Sequence, residues 1–184
     1  MKTMQQDAAQ LLIWRQPYAH ERRYELRSGD DTLATLRWEK GCGSLASAES
    51  ADGHWTFKRV GFLQPRVTVR AFGSDTEVAT FHPTWRGDGT LEFRDGRSVR
   101  WVTTNVWHTE WAFAGDGHTV LRFSPRGGLS SLIKHEAQME IVPAATMLPD
   151  LSLLALLGWY LMLLASDDAV GAAIAAATAV VAAS

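Results

Sequence analysis

The chain has 184 residues, 46% of them hydrophobic and 21% charged, which suits one domain with a sizeable core and excludes a fibre or a disordered chain. The formal charge of −2 is uneven: residues 135–184 hold five acids and no Lys or Arg, so residues 1–134 carry +3, too mild an excess for a nucleic-acid-binding domain. A single cysteine, Cys42, excludes an internal disulfide and fits a reducing compartment.

The opening residues, MKTMQQDAAQ, lack the apolar run of a secretory signal, and residues 1–8 are expected to form a flexible tail on a cytoplasmic protein. From Leu11 onward, short segments rich in Val, Leu, Thr and aromatics alternate with turn residues at intervals of about ten. The turns include Ser28-Gly29-Asp30, Asp52-Gly53, Gly73-Ser74-Asp75, Gly87-Asp88-Gly89, Asp95-Gly96 and Gly115-Asp116-Gly117. Asp-Gly and Gly-Asp pairs favour tight hairpins, because positive φ is cheap only for Gly, Asn and Asp. About twelve antiparallel strands follow, near 9–15, 22–27, 32–38, 44–50, 54–60, 66–72, 76–82, 90–94, 97–103, 107–114, 118–124 and 134–142. Many alternate, as in Tyr24 and Leu26 against Arg23, Glu25 and Arg27, or Leu91 and Phe93 against Glu92 and Arg94, so each has one dry and one wet face.

The run Leu151–Ala165, LSLLALLGWYLMLLA, is apolar all the way round, so a helix made of it must be enclosed by protein or by lipid. Its fifteen residues make roughly 22 Å of helix, short of the roughly 20 residues that cross a hydrocarbon layer, and no Lys or Arg follows Lys134 to flank a span. A helix is about 10–12 Å across, and a barrel of more than eight strands has a lumen to hold one. A mainly β fold is therefore expected: a twelve-stranded closed antiparallel barrel over residues 9–168, around a buried helix near 150–165. Leu153, Leu154, Leu157, Trp159, Leu161 and Leu164 form its core, and Asp150 is its N-cap. The Ala-rich segment 169–184, with Val170, Ile174, Ala177 and Val181 on one stripe, is expected to be a second helix packed on the barrel or a frayed tail.

The succession YELRSGDDTLATLRW (Tyr24 to Trp38), DGHWTFKRVGF (Asp52 to Phe62), VTVRAFGSDTEVATFHPTW (Val67 to Trp85), LEFRDGRSVRW (Leu91 to Trp101) and LPDLSLLALLGWYLMLL (Leu148 to Leu164) resembles the tubby-like superfamily, which includes the tubby C-terminal domain, LURP-one-related proteins and phospholipid scramblases. The resemblance runs from about residue 10 to 168 and rests on strand order, hairpins and the terminal helix. It implies a twelve-stranded barrel around a hydrophobic C-terminal helix. In tubby relatives basic residues near the barrel wall bind phosphoinositides. No motif of that site can be matched here, so none of those residues is carried over.

No catalytic constellation stands out among His20, His54, His82, His108, His118 and His135, and no cofactor is expected. His108 with Glu110, and His135 with Glu136, are read as surface or hydrogen-bonded residues, because a metal site needs three or four converging ligands. Cys42, two residues from Lys40, is read as unreactive. Trp101, Trp111 and Trp159 are expected in the core, while Trp85 has no obvious place. The remaining signal is cationic: alternation puts Lys58, Arg70, Arg94, Arg100 and Arg122 on the outer face, whereas Arg59 shares the face of Trp55 and Phe57. The expected function is non-enzymatic binding of an anionic phospholipid headgroup, or of a protein partner, at the outer wall or rims, with no nucleic acid and at most peripheral membrane contact. The competing expectation is a scramblase-like protein with residues 151–183 inserted in the bilayer.

Overall fold

Side chains on a strand alternate between its two faces, so a segment with apolar residues at every second position can be dry on one side only if that side is enclosed. Twelve such segments enclose one another here. In a computed structural model that describes residues 2–4, 11–39, 43–105, 109–115, 117–126, 135–145 and 148–182, the strands are β1 (Leu12–Arg15), β2 (Arg23–Ser28), β3 (Asp31–Trp38), β4 (Ala46–Ser50), β5 (Gly53–Val60), β6 (Arg66–Ala71), β7 (Glu77–Pro83), β8 (Gly89–Phe93), β9 (Ser98–Thr103), β10 (Trp111–Gly115), β11 (His118–Pro125) and β12 (Ala137–Ile141). Each pairs antiparallel with its neighbours in chain order, and β1 pairs with β12, Leu12 opposite Met139 and Trp14 opposite Ala137. The barrel is closed, so no sheet edge is left unpaired. Gly29 and Gly96, in the hairpins β2–β3 and β8–β9, have positive φ as their tight turns require. Gly53 does not; a Cβ there would meet the Trp55 ring at 2.5 Å.

The expected strand positions hold to within a few residues. The N-terminal ends expected for β1, β10 and β12 at 9, 107 and 134 lie outside the described residues, as do Lys40, Cys42 and His108. Thr68, which shares the outward parity of Arg70 on β6, is nevertheless buried, with its hydroxyl donating to the Lys58 carbonyl at 3.3 Å.

A helix, α1 (Leu151–Ala182), threads the barrel. It enters at the end closed by the short hairpins β2–β3, β4–β5, β6–β7, β8–β9 and β10–β11, after a 3₁₀ turn at Pro143–Ala145. The Asp150 carbonyl accepts the first helical hydrogen bond, from the Leu154 N–H at 2.9 Å, which makes Asp150 the N-cap residue. Its carboxylate is taken by Arg97 at 2.5 Å, and Ser152 donates its hydroxyl to Asp52. Residues 151–161 are all buried, including Leu153, Leu154, Leu157, Trp159 and Leu161, and Leu164 is buried three residues on. Strand rings clamp the helix: Trp14 stacks on Trp159 at 5.5 Å, Trp38 stacks on Tyr160 at 5.1 Å, and Phe57 lies 5.4 Å from Tyr160. The Tyr160 hydroxyl donates to the Ser44 carbonyl at 2.7 Å, and burial pushes its pKa up to about 12.

Gly158 marks where the helix and the wall come closest. A Cβ at this position would sit 2.4 Å from the Phe123 ring and 3.2 Å from Phe113, both rings buried. Gly158→Ala gains about 1 kcal/mol of helix propensity but overpacks a closed wall, which costs about 1–3 kcal/mol. The expected result is a lower denaturation midpoint in urea, and a midpoint raised above wild type would contradict the close packing.

No turn occurs at Asp167-Asp168. The Ala-rich segment is the continuation of α1, not a second helix packed on the barrel, and residues 167–179 are exposed. Alanine carries the helix past two weak helix formers and Gly171, and nothing in this stretch breaks it. By length and composition Leu151–Ala179 could cross a membrane, with a mean hydropathy of 1.5, but 61% of the qualifying window is buried inside the barrel. Only the part beyond Ala165 projects.

Candidate functional site at the barrel mouth

The five wall cations do not form one patch. Lys58 on β5 lies opposite Thr68 and is one diagonal step from Arg70 on β6. A register shift after Val69 sets Arg70 against Glu77, and its guanidinium pairs with Glu77 at 3.0 Å and Asp75 at 3.6 Å. Arg122 on β11 pairs with Glu140 of β12 at 3.3 Å. Arg94, just past β8, donates its backbone N–H to the Val78 carbonyl and borders a shallow groove that also holds Asp75, Glu77 and Glu92. Arg100 on β9 lies opposite Thr90 and Ala114, with β7 and β8 between it and Arg70. The wall thus presents cations interleaved with acids, two of them already paired, which leaves little net field for an anion.

The end where α1 leaves the barrel is different. By the antiparallel order it is ringed by the connections after β1, β3, β5, β7, β9 and β11. Two ion pairs hold the helix as it exits: Arg22 with Asp167 at 2.5 Å, and Arg59 with Asp168 at 2.7 Å. Arg59 had been singled out by its inward parity on β5. That parity aims it at the helix, which explains a cation on an otherwise apolar face. Arg22 also covers the Trp38 ring at 4.4 Å.

Around these clamps the rim is apolar. Phe62 and Leu63, in the β5–β6 loop, are 97% and 91% exposed, and Trp85, in the β7–β8 loop, is 87% exposed. Arg86 lies over the Trp85 ring at 4.7 Å, and Arg66 starts β6 directly after the Phe62-Leu63 loop. Neither Arg66 nor Arg86 has an acidic partner among the described residues. Behind them an open cleft of about 1330 Å³ runs between α1 and strands β6, β7 and β9. Trp101 is buried at its depth, and half-buried Trp111 lines it. Sequence reasoning passed over this rim. The available signal was Phe62-Leu63 between Gly61 and Pro65, and Trp85 between Pro83 and Gly87: large apolar residues among turn formers, where polar ones are the norm.

A smaller cavity of about 320 Å³ lies across Met162, lined by His135, Trp159 and Leu163. His135 packs edge-on against Tyr24 at 6.0 Å. Burial, opposed by Asp167 and aided by Arg22, holds its pKa below the usual histidine value. Its folded form therefore binds fewer protons than the unfolded chain between the two pKa values, and stability rises with pH through that window. Melting temperature is expected to climb as pH rises toward about 6.5, the unfolded histidine value, and to level off above it, and the climb should shrink in His135→Gln; an equal climb in both proteins would exclude the histidine as its source.

Glu136 pairs with Arg126 at 3.8 Å, and the backbone N–H and carboxylate of Glu110 are engaged with Asn105 and Thr104. Among the described residues no three His, Cys, Asp or Glu side chains gather as a metal site would require. Comparison with protein-family models, with curated proteins and with solved structures finds no match to this chain.

Proposed function

We propose that this chain is a non-enzymatic barrel domain that docks on an anionic phospholipid surface through the mouth from which α1 emerges. The observation that carries this reading is the coincidence, at one end of the barrel, of Phe62, Leu63 and Trp85 almost fully in solvent with Arg66 and Arg86 beside them, neither with an acidic partner among the described residues. Aromatic and aliphatic tips enter the acyl boundary while arginines stay at the phosphates, each near-surface charge contributing about 1 kcal/mol. The helix supports the same geometry. Beyond Asp168 the sequence holds no charged residue as far as Ser184, and Val170 and Ile174 are exposed on the helix. Eleven described and exposed residues, 169–179, reach about 16 Å past the clamps, roughly the depth of one leaflet. The resemblance to the tubby-like superfamily, with its phosphoinositide-binding and scramblase members, points to the same class of partner.

The docking face differs from the outer wall expected of Lys58, Arg70, Arg94, Arg100 and Arg122, whose charges are spread and partly neutralised. Insertion of the whole segment 151–183 is disfavoured by the burial of residues 151–161, which would have to leave a closed barrel first. The test is co-sedimentation with phosphatidylserine-containing and with pure phosphatidylcholine vesicles. Binding to the first that weakens with salt supports the reading; absence from both pellets overturns it in favour of a protein partner.

A further inference from the structure

The rim explains attraction to a surface but leaves the cleft behind it without a role. The cleft exists because α1 is held to one side. The stacks of Trp14 on Trp159 and of Trp38 and Phe57 on Tyr160, the close approach of Gly158 to Phe113 and Phe123, and the Arg59–Asp168 pair hold the helix against β1, β3, β5, β10 and β11. On the remaining side, toward β6, β7 and β9, Leu161 and Leu164 face Val67, Phe81 and Trp101 across open space. The resulting volume of about 1330 Å³ exceeds the ~300–1000 Å³ of ordinary small-molecule sites.

Its chemistry is two-part. Val67, Phe81, Trp101, Leu161 and Leu164 give an aliphatic and aromatic wall, while Gln64, His82, Thr84 and Thr103 add uncharged polar groups. The Thr103 hydroxyl already donates to Asp88 at 3.3 Å, and His82 lies 3.8 Å from Glu92. Among the described residues of the lining one carboxylate, Asp168, is present and is held by Arg59, whereas Arg66 and Arg86 at the opening have no acidic partner. Such a cleft rejects a polar or cationic ligand, which would lose water without gaining partners, and fits a slender apolar body with a negative end.

We propose that the mouth cleft of this barrel holds one hydrocarbon chain of an anionic amphiphile, with the chain between α1 and Val67, Phe81 and Trp101 and the charged head at Arg66 and Arg86. The proposal rests on the reading of the mouth as the lipid-facing end. The chain comes from a free fatty acid or from a phospholipid whose chain is drawn out of the leaflet beneath the rim, and the two sources differ in where the probe must be placed.

A bromine atom quenches indole fluorescence at contact, and Trp85, Trp101 and Trp111 line the cleft. Dodecanoate brominated at its terminal carbon, titrated below its micelle concentration into the full chain, is expected to quench part of the emission saturably. The same chain carrying a trimethylammonium head should bind at least about tenfold more weakly, and Arg66→Gln with Arg86→Gln should erase that preference. Ala165→Phe, a substitution at an exposed helix position bordering the cleft, should abolish saturable quenching with an unchanged melting curve. Vesicles of phosphatidylserine brominated mid-chain should quench as well if bilayer lipid is the source; quenching by the free acid alone assigns the site to free fatty acids. Equal binding of both head charges, or saturable quenching that survives Ala165→Phe, would overturn the proposal. Sedimentation of the protein with vesicles but no quenching by either probe overturns the cleft and leaves surface docking intact, whereas no sedimentation, with quenching by the free acid retained, overturns docking and leaves the cleft.

Discussion

Leu157→Asp is expected to abolish folding, with the variant recovered in the insoluble fraction or, if refolded, lacking a cooperative melt. Leu157 is fully buried at the middle of the part of α1 that the barrel encloses. Replacing it loses about 2–5 kcal/mol of apolar contact and cavity energy, and leaves a carboxylate that must be desolvated or protonated at a cost of several more. Together these approach the roughly 5–15 kcal/mol total stability of a domain. Among the described residues the cations that reach the helix, Arg22, Arg59 and Arg97, sit at its two ends and are already paired there with Asp167, Asp168 and Asp150. A soluble Leu157→Asp protein with an unchanged melting curve would show that the helix is not the core of the barrel.

The second large effect is expected at the surface. Phe62→Ser combined with Leu63→Ser should weaken binding to anionic vesicles by about 100-fold or more, taking roughly 1.5–3 kcal/mol for burying each side chain. Both residues are almost wholly in solvent, so the folded state loses no packing and the melting curve should stay where it is. The pairing of these readouts separates docking from stability. Reversing charge on the wall, as in Arg70→Glu, is expected to change vesicle binding far less, since Arg70 is already held by Glu77 and Asp75. If the wall variant abolishes binding and the rim variant does not, the wall is the lipid-binding face.

Much of the fold was legible because two local patterns constrain it. Period-two alternation, with Gly and Asp at the turns, marks antiparallel strands with one dry side. A run with no polar stripe demands enclosure on every side. Twelve strands and one apolar helix satisfy each other's requirement, which is why the core residues Leu153 through Leu164 could be named without coordinates. The inward parity of Arg59 was equally readable, although its purpose was not. That purpose depends on Asp168, 109 residues away, emerging beside it.

The mouth was not legible in the same way. Phe62-Leu63 and Trp85 lie in loops, and periodicity carries no information about where a loop points. Arg66 and Arg86 look no different in sequence from Arg70 and Arg122. What separates them is that no described acid pairs with them, a property of neighbours on other strands. The alternation of the wall residues correctly placed them outside but could not show that the register puts Glu77 and Glu140 against two of them.

The length of the helix makes the same distinction. Composition alone determined that Leu151–Ala165 must be buried, because an apolar surface on all sides cannot face water, and that alanines 169–184 would favour helix. Whether the two segments are one rod or a hairpin depended on the clamps Arg22–Asp167 and Arg59–Asp168, which turn the acids into a collar at the barrel exit instead of a bend. Only the closed tertiary structure decides that, since it alone brings the β1–β2 loop and the end of β5 to the point where the helix runs out of barrel.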